Sequence, residues 1–515
     1  MGGPAPGAAV PGPLIGRRSF VASAFATAMV PFASCSAGAF KPDGPQLTPE
    51  AFGARGDGVT NDGAAFEALS EAVNRAGGGT VSLRKGATYI VGGQTRSADP
   101  KSTGGYTFVP RDVLRFRRCR NAVTVLGNGA TLRAVNGYRY GTFDTSGAIT
   151  RNKMPYFGPQ IAAGYSALVF VEECSGPVSI QDLELDGNMR RAVIGGTWGD
   201  AGIQLPGSGL VFRNNTGKWL VRNVRAHDHP LDGLLVDDPG APNTPPSGSG
   251  TSGCDFYENG RQALSVVGGV GHVFADSKFR RTRRGTQVGS PPGAGVDLEA
   301  EGEKIVRGIR FERCEMSDNA GPALLHGGGK VSDIDVVDCR VIGTSTWAYY
   351  SAGAENMRFR GTTIVGAVVN LRGGPRGELF ENCLITNDPA LAPRGTQPYS
   401  PGGFLIPDGV IGVRIIGGEI RQAGGTGGSN ANQDQMLLDG VTIRATRGAI
   451  ALYGRFRNCR FVEAGGTILA LPGGAEGSRN AGNSETPWTL TRGGVTRRFP
   501  ATCATGRCPP RKGEG

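Results

Sequence analysis

In the stretch GAGVDLEAEGE, residues 293–303, Asp297, Glu299 and Glu301 occupy every second position. Strand side chains alternate between faces, so in an extended segment all three carboxylates share one face. Ionised neighbours repel, and such a row needs a cation, hydrogen-bond donors or raised pKa values. Two chemistries suit it. One is capture of an oxygen-seeking cation, Ca²⁺ at Asp297, Glu299 and Glu301. The other is paired acid–base work: alternate strand residues stand about 6.8 Å apart, within the roughly 6.5–9.5 Å that an acid and a base need to straddle a glycosidic bond with a water between them.

Other residues of the right type recur at matching places in neighbouring segments. PLDGLLVDD supplies Asp232 and Asp237, NGRQALSV supplies Arg261 and Gln262, AHDHP supplies His229, and LLHGG supplies His326. Asp297, Glu299, Arg261, Asp237 and His326 form the candidate catalytic set. Gln262, Asp232, His229, Tyr350 and Arg372 form the candidate substrate-binding set. Each has a structural alternative: an acidic strand face that is merely solvated, a guanidinium bridging turns, or a histidine held in a turn.

What must position these residues is a repeat. SGCDF, ERCEM, VDCRV, ENCLI and RNCRF recur around Cys254, Cys314, Cys339, Cys383 and Cys459, and the segments GIQLP, DGLLVDD, RQALSVVG, AGVDLEAE, PALLHGG, AYYSAG and VNLRGG align behind them. A recurring unit such as the 25 residues from Cys314 to Cys339 means a solenoid. The apolar residues alternate at period two and Gly breaks every unit, which excludes helical repeats. The class is therefore all-β, a single-stranded parallel β-helix whose successive coils lie about 4.8 Å apart. Aligning the segments points Val296 and Leu298 inward and Asp297 and Glu299 outward, with Asp237 two coils from Glu299. The spacing also predicts a helix over 62–76, with Phe66, Leu69 and Val73 on one face, covering the N-terminal end.

The segment AFGARGDGVTNDGAAFEAL followed by GGGTVSLRKGATY resembles the N-terminal signature of the pectate-lyase-like right-handed parallel β-helix superfamily. That group holds polygalacturonase-type hydrolases, polysaccharide lyases, uronate epimerases and tailspikes. Asp57 and Asp62 match the motif as turn and cap residues. The polygalacturonase pattern of Asp-Asp, Gly-His-Gly and Arg-Ile-Lys is absent: Arg261-Gln262 stands in place of the Asp pair and Ala294 in place of the His.

The ends and the composition bound the setting. GRRSFVASAFATAMVPFAS, with Arg17-Arg18, reads as a twin-arginine export leader over 1–39, too short to span a bilayer. It is cleaved before Phe40 or, on the rival reading, processed with lipid on Cys35. The expected location is therefore periplasmic or secreted. The β-helix domain is expected over 40–475 and an irregular tail over 476–515. A net charge of +11 draws anions. Export and the absence of any nucleic-acid module turn that toward an acidic polysaccharide rather than nucleic acid, and no transmembrane segment is expected. The Cys repeats read as a buried column of thiols, leaving Cys503 and Cys508 as the disulfide candidate. A monomer and a trimer both stay open.

The resulting expectation is an exported enzyme that cleaves an acidic, uronate-containing polysaccharide by β-elimination, without a certain cofactor beyond the Ca²⁺ named above. Three rivals stand beside it: glycoside hydrolysis on the same fold, uronate C5-epimerisation, and a non-catalytic glycan-binding or envelope solenoid.

Overall fold

The computed structural model describes residues 44–503, except 97–107, 111–112, 142, 145, 150–166, 197–206, 354, 372–376, 402–404, 408–411 and 430–435. The chain divides into Met1–Gly38 and Ala39–Gly515, and every described residue belongs to the second unit. Among the described residues no helix is long and apolar enough to cross a membrane.

Strands pair in parallel with the strand one coil earlier and one coil later, which makes the chain a right-handed parallel β-helix. The stack that carries the candidate residues runs from Leu114–Arg117 through Ala167–Glu172, Ser208–Arg213, Asp232–Asp237, Gln262–Val270, Val296–Leu298, Leu324–His326, Tyr349–Ser351 and Val368–Leu371 to Leu405–Pro407. Its inward positions, among them Leu234, Leu264, Val296, Leu324 and Tyr349, are fully buried. On the other wall of the solenoid the core is a ladder of aromatic rings. Phe274 stacks on Phe311 at 5.1 Å, and Phe359 on Phe380 at 4.9 Å.

The cysteine repeat has a physical cause that its spacing alone did not show. Asp276, Arg313, Asp338, Asn382 and Asn458 all hold left-handed φ angles between 48° and 53°. Each is followed by a small side chain that turns inward: Ser277, Cys314, Cys339, Cys383 and Cys459. There the amide of one coil donates to the sulfur or hydroxyl of the next. Cys254 N donates to Ser277 Oγ at 3.2 Å, Cys314 N to Cys339 Sγ at 3.3 Å, and Cys339 N to Thr362 Oγ1 at 3.3 Å. Cys119, Cys174, Cys254, Cys314, Cys339, Cys383 and Cys459 are free and buried. Cys503 is disulfide-bonded; Cys508, its expected partner, lies outside the described residues.

The helix forms over Gly63–Ala76 and buries Phe66, Leu69 and Val73 completely. Asn61 rather than Asp62 supplies the side-chain cap, accepting from Gly63 N at 2.9 Å. Asp62 instead accepts from the amides of Arg55 and Gly56, and Asp57 closes its own turn through Val59 and Thr60. Asn74 donates to Arg115 O and accepts from Arg117 N. The helix thus covers the first strand of the candidate stack.

The C-terminal segment departs from expectation. Among the described residues, 476–503 are not irregular throughout: Trp488–Arg492 pairs in parallel with Arg460–Glu463 and folds back as an antiparallel hairpin with Val495–Phe499. The alternating pattern is short there and Gly-interrupted, which hid it.

Candidate active site

The strand register places Asp297 and Tyr350 in one outward column. Leu235, Ser265, Asp297, Leu325 and Tyr350 are successive partners across the coils. Asp232 pairs with Gln262 at the start of two of these strands, and Arg261 sits in the turn between them. Arg261 donates from Nε to Asp232 Oδ1 at 2.8 Å and from Nη2 to Asp232 Oδ2. Gln262 Nε2 donates to Asp297 Oδ2. Four candidates from segments far apart in the chain therefore form one connected group.

Asp297 is the unusual member. Only 2% of it is exposed, and no hydrogen-bond partner reaches its Oδ1. Buried polar atoms are normally satisfied, so an orphaned carboxyl oxygen needs an explanation. Burial and then the neighbouring Glu299 push its pKa up to about 7, against the opposing pull of Arg261 and Gln262. Glu299 and Glu301 follow on the exposed rim of the same segment, and Glu301 is also raised, chiefly by burial. Arg261 stays charged because Asp232, and behind it Asp297 and Glu301, outweigh its burial. Among the described residues the centre therefore holds four carboxyl groups around one guanidinium.

Several expected members stand elsewhere. His326 pairs with Leu298, an inward position, and is fully buried. Its Nδ1 accepts from Gly328 N, and burial lowers its pKa to about 4. The alternation that turns Asp297 outward turns His326 into the core. His229 is likewise fully buried, bonded through Nε2 to Leu185 O, with its pKa lowered to about 3 by burial. Both rings lie in the core, so His326 as a catalyst and His229 as a binder are corrected. Asp237 is displaced by a bulge after Val236 that pairs it with Gly268 instead of Val267. It is tied to Arg213 at 3.1 Å and to Lys304. It feels Glu301 electrostatically but sits at the edge of the group. Tyr350 is half-buried beside Trp347. Arg372 lies outside the described residues.

Among the described residues, the three ligating side chains whose atoms all lie within 4.8 Å of one another are Asp186, His227 and Asp228. They do not fit a metal. Both His227 nitrogens meet carboxylates, Asp228 at 2.9 Å and Glu184 at 3.0 Å. Burial opposes the charge, but these bonds lift the ring to about 9, so it donates twice and has no lone pair to give. Arg133 and Arg190 hold Asp186 and Asp228. Asp297, Glu299 and Glu301 do not converge in that way.

No family model matches the chain, and none of the curated proteins does. Solved structures do align with it. The A-module of mannuronan C-5 epimerase AlgE4 from Azotobacter vinelandii is 16% identical, with 82% of this chain and 97% of that chain covered and a TM-score of 0.43. A hyperthermoactive exopolygalacturonase from Thermotoga maritima is 13% identical over 89% and 95%, with a TM-score of 0.33. The tailspike gp49 of Acinetobacter baumannii bacteriophage Fri1, a capsular polysaccharide depolymerase, is 12% identical over 82% and 62%, with a TM-score of 0.37. These are right-handed parallel β-helix proteins. The architecture here rests on the chain's own strand register.

Proposed function

We propose that the chain is a carbohydrate-active enzyme that hydrolyses a glycosidic bond at the outward face that carries Asp297. Asp297 acts as general acid, and Glu299 on the rim acts as base toward water. The observation that carries this is the buried Asp297 carboxyl, whose Oδ1 is unpartnered and whose raised pKa keeps much of it protonated near neutrality. A buried carboxyl that holds its proton beside an exposed one is the pairing that acid–base cleavage of a glycoside needs. Gln262 and the Arg261–Asp232 pair fix the geometry.

The same group fits β-elimination from a uronate less well. Elimination needs the sugar carboxylate neutralised, and the guanidinium here is already engaged by Asp232 within an acidic group. The inward rings of His229 and His326 also leave that chemistry without its histidine bases. A cation on the acidic row would restore it, so the test carries a chelator. Purified protein is incubated with neutral and uronate polysaccharides, with and without EDTA. Hydrolysis gives new reducing ends, no unsaturated-sugar absorbance and no EDTA effect. Unsaturated products that EDTA abolishes would overturn hydrolysis in favour of a calcium-dependent lyase. Export is part of the same proposal, and its check is retention of the uncleaved precursor when Arg17 and Arg18 are both changed to Lys.

A further inference from the structure

The outward column that holds Asp297 continues to Leu325 one coil on and to Tyr350 two coils on, about 9.6 Å away. There the surface changes character. Tyr350 and Trp347 lie with ring centroids 5.0 Å apart at 35°, and they wall a cavity of about 340 Å³. Its other lining residues are Pro292, Ala320, Gly321, Pro322, Leu325 and Thr346. None of the eight carries a charge. Gly321 approaches so closely that a Cβ there would stand 1.9 Å from Pro292 O, which keeps this wall flat and free of side chain. Arg284, on a neighbouring turn, is engaged by Ser345 and Asp318.

We infer that this cavity is a second sugar subsite, that it takes an uncharged pyranose ring, and that the polymer therefore lies along the solenoid axis with a neutral residue two coils from the cleaved bond. The inference rests on the outward face that carries Asp297 being the carbohydrate site. The electron-rich faces of Trp347 and Tyr350 match the C–H face of a sugar ring, while the Thr346 and Tyr350 hydroxyls meet its hydroxyls. A uronate carboxylate in the same place would lose its hydration with no cation lining the cavity. This narrows the substrate from an acidic polymer to one that presents neutral sugars at this position.

The test separates binding from turnover by working in the Asp297→Asn variant. Neutral hexasaccharides (glucan, mannan, galactan, xylan) and oligogalacturonate or oligomannuronate are titrated while tryptophan emission is followed. Trp219 and Trp488 are buried in the core, and a matched Trp347→Phe variant isolates the Trp347 signal. At least one neutral oligosaccharide should change Trp347 emission and bind about 10-fold or more tightly than either oligouronate. Trp347→Ala should weaken that binding about 10-fold. Thr346→Glu, which leaves the rings in place and puts a charge on the cavity wall, should weaken the neutral ligand. The inference is overturned if no neutral oligosaccharide alters Trp347 emission, or if oligouronates bind as tightly and ignore Trp347→Ala. Failure of the hydrolase reading is a separate result, read as an absence of new reducing ends from the unmutated protein.

Discussion

Asp297 has opposite effects on stability and on the proposed activity. Its carboxyl is raised from 3.8 to about 7, so the folded state holds a proton that the unfolded state has released. Its contribution to stability is fully present below about 3.8 and is lost as pH rises through about 7. Asp297→Asn should therefore match the parent in unfolding free energy at acid pH and exceed it above pH 7, by at most about 4 kcal/mol, measured by chemical denaturation. The same variant should lose about 10²–10⁴-fold in kcat, and parental activity should fall on the alkaline side of about pH 7 as the acid loses its proton. Equal stability at every pH would mean the carboxyl is better solvated than its burial implies. His227 gives a contrasting profile. Its ring is raised from 6.5 to about 9, so its stabilisation is complete below 6.5 and is lost as pH rises through about 9. His227→Gln should flatten the alkaline limb of the melting curve while leaving catalysis untouched. At Arg261 the arithmetic concerns a buried pair: Arg261→Gln leaves the fully buried Asp232 without its partner, at a cost of about 3–5 kcal/mol by chemical denaturation.

Among the elements, the left-handed corner followed by an inward thiol or hydroxyl is the repeated unit. Thr362 shows what the inward group does, because its Oγ1 accepts from Cys339 N and donates to Val336 O at 3.0 Å. Thr362→Val is nearly isosteric but leaves Cys339 N without its acceptor in the core, so it should cost about 1–3 kcal/mol. Cys339→Ser should be close to neutral, since a hydroxyl serves the same ladder. The recurring Cys made this column legible in sequence, and period-two alternation gave the solenoid and the outward face of Asp297. The same alternation, carried to LLHGG, already pointed His326 inward between the outward Leu325 and Gly327. What sequence could not supply was the bulge at Val236, which slips Asp237 by one position, or the bond from Lys304 to Asp237 across a long stretch of chain. The Trp347–Tyr350 cluster itself is visible in the sequence, but the flat, uncharged walls that complete its cavity were equally hidden, because they come from turns of neighbouring coils.

For the whole molecule, a β-helix is as stable as its ends are covered, because each coil contacts only its neighbours and the last one presents open backbone. The N-terminal end is closed by the helix Gly63–Ala76. The C-terminal end is closed by the hairpin, where Trp488 stacks on Phe499 at 4.3 Å and packs edge-on to Phe461 at 5.3 Å. Its outer strand, VTRRF, is mostly exposed and carries Arg497 and Arg498, charges that discourage a further strand from adding. Ending the chain after residue 486 would remove that cover, expose Phe461 and leave the strand Arg460–Glu463 with one free edge. The truncated protein should form soluble aggregates by light scattering at concentrations where the full chain stays monodisperse. Arg497→Val with Arg498→Val should do the same more weakly, since the ring stack survives and the charged guard alone is lost. A truncated chain that stayed monodisperse would show that the last coil is closed by something other than this hairpin.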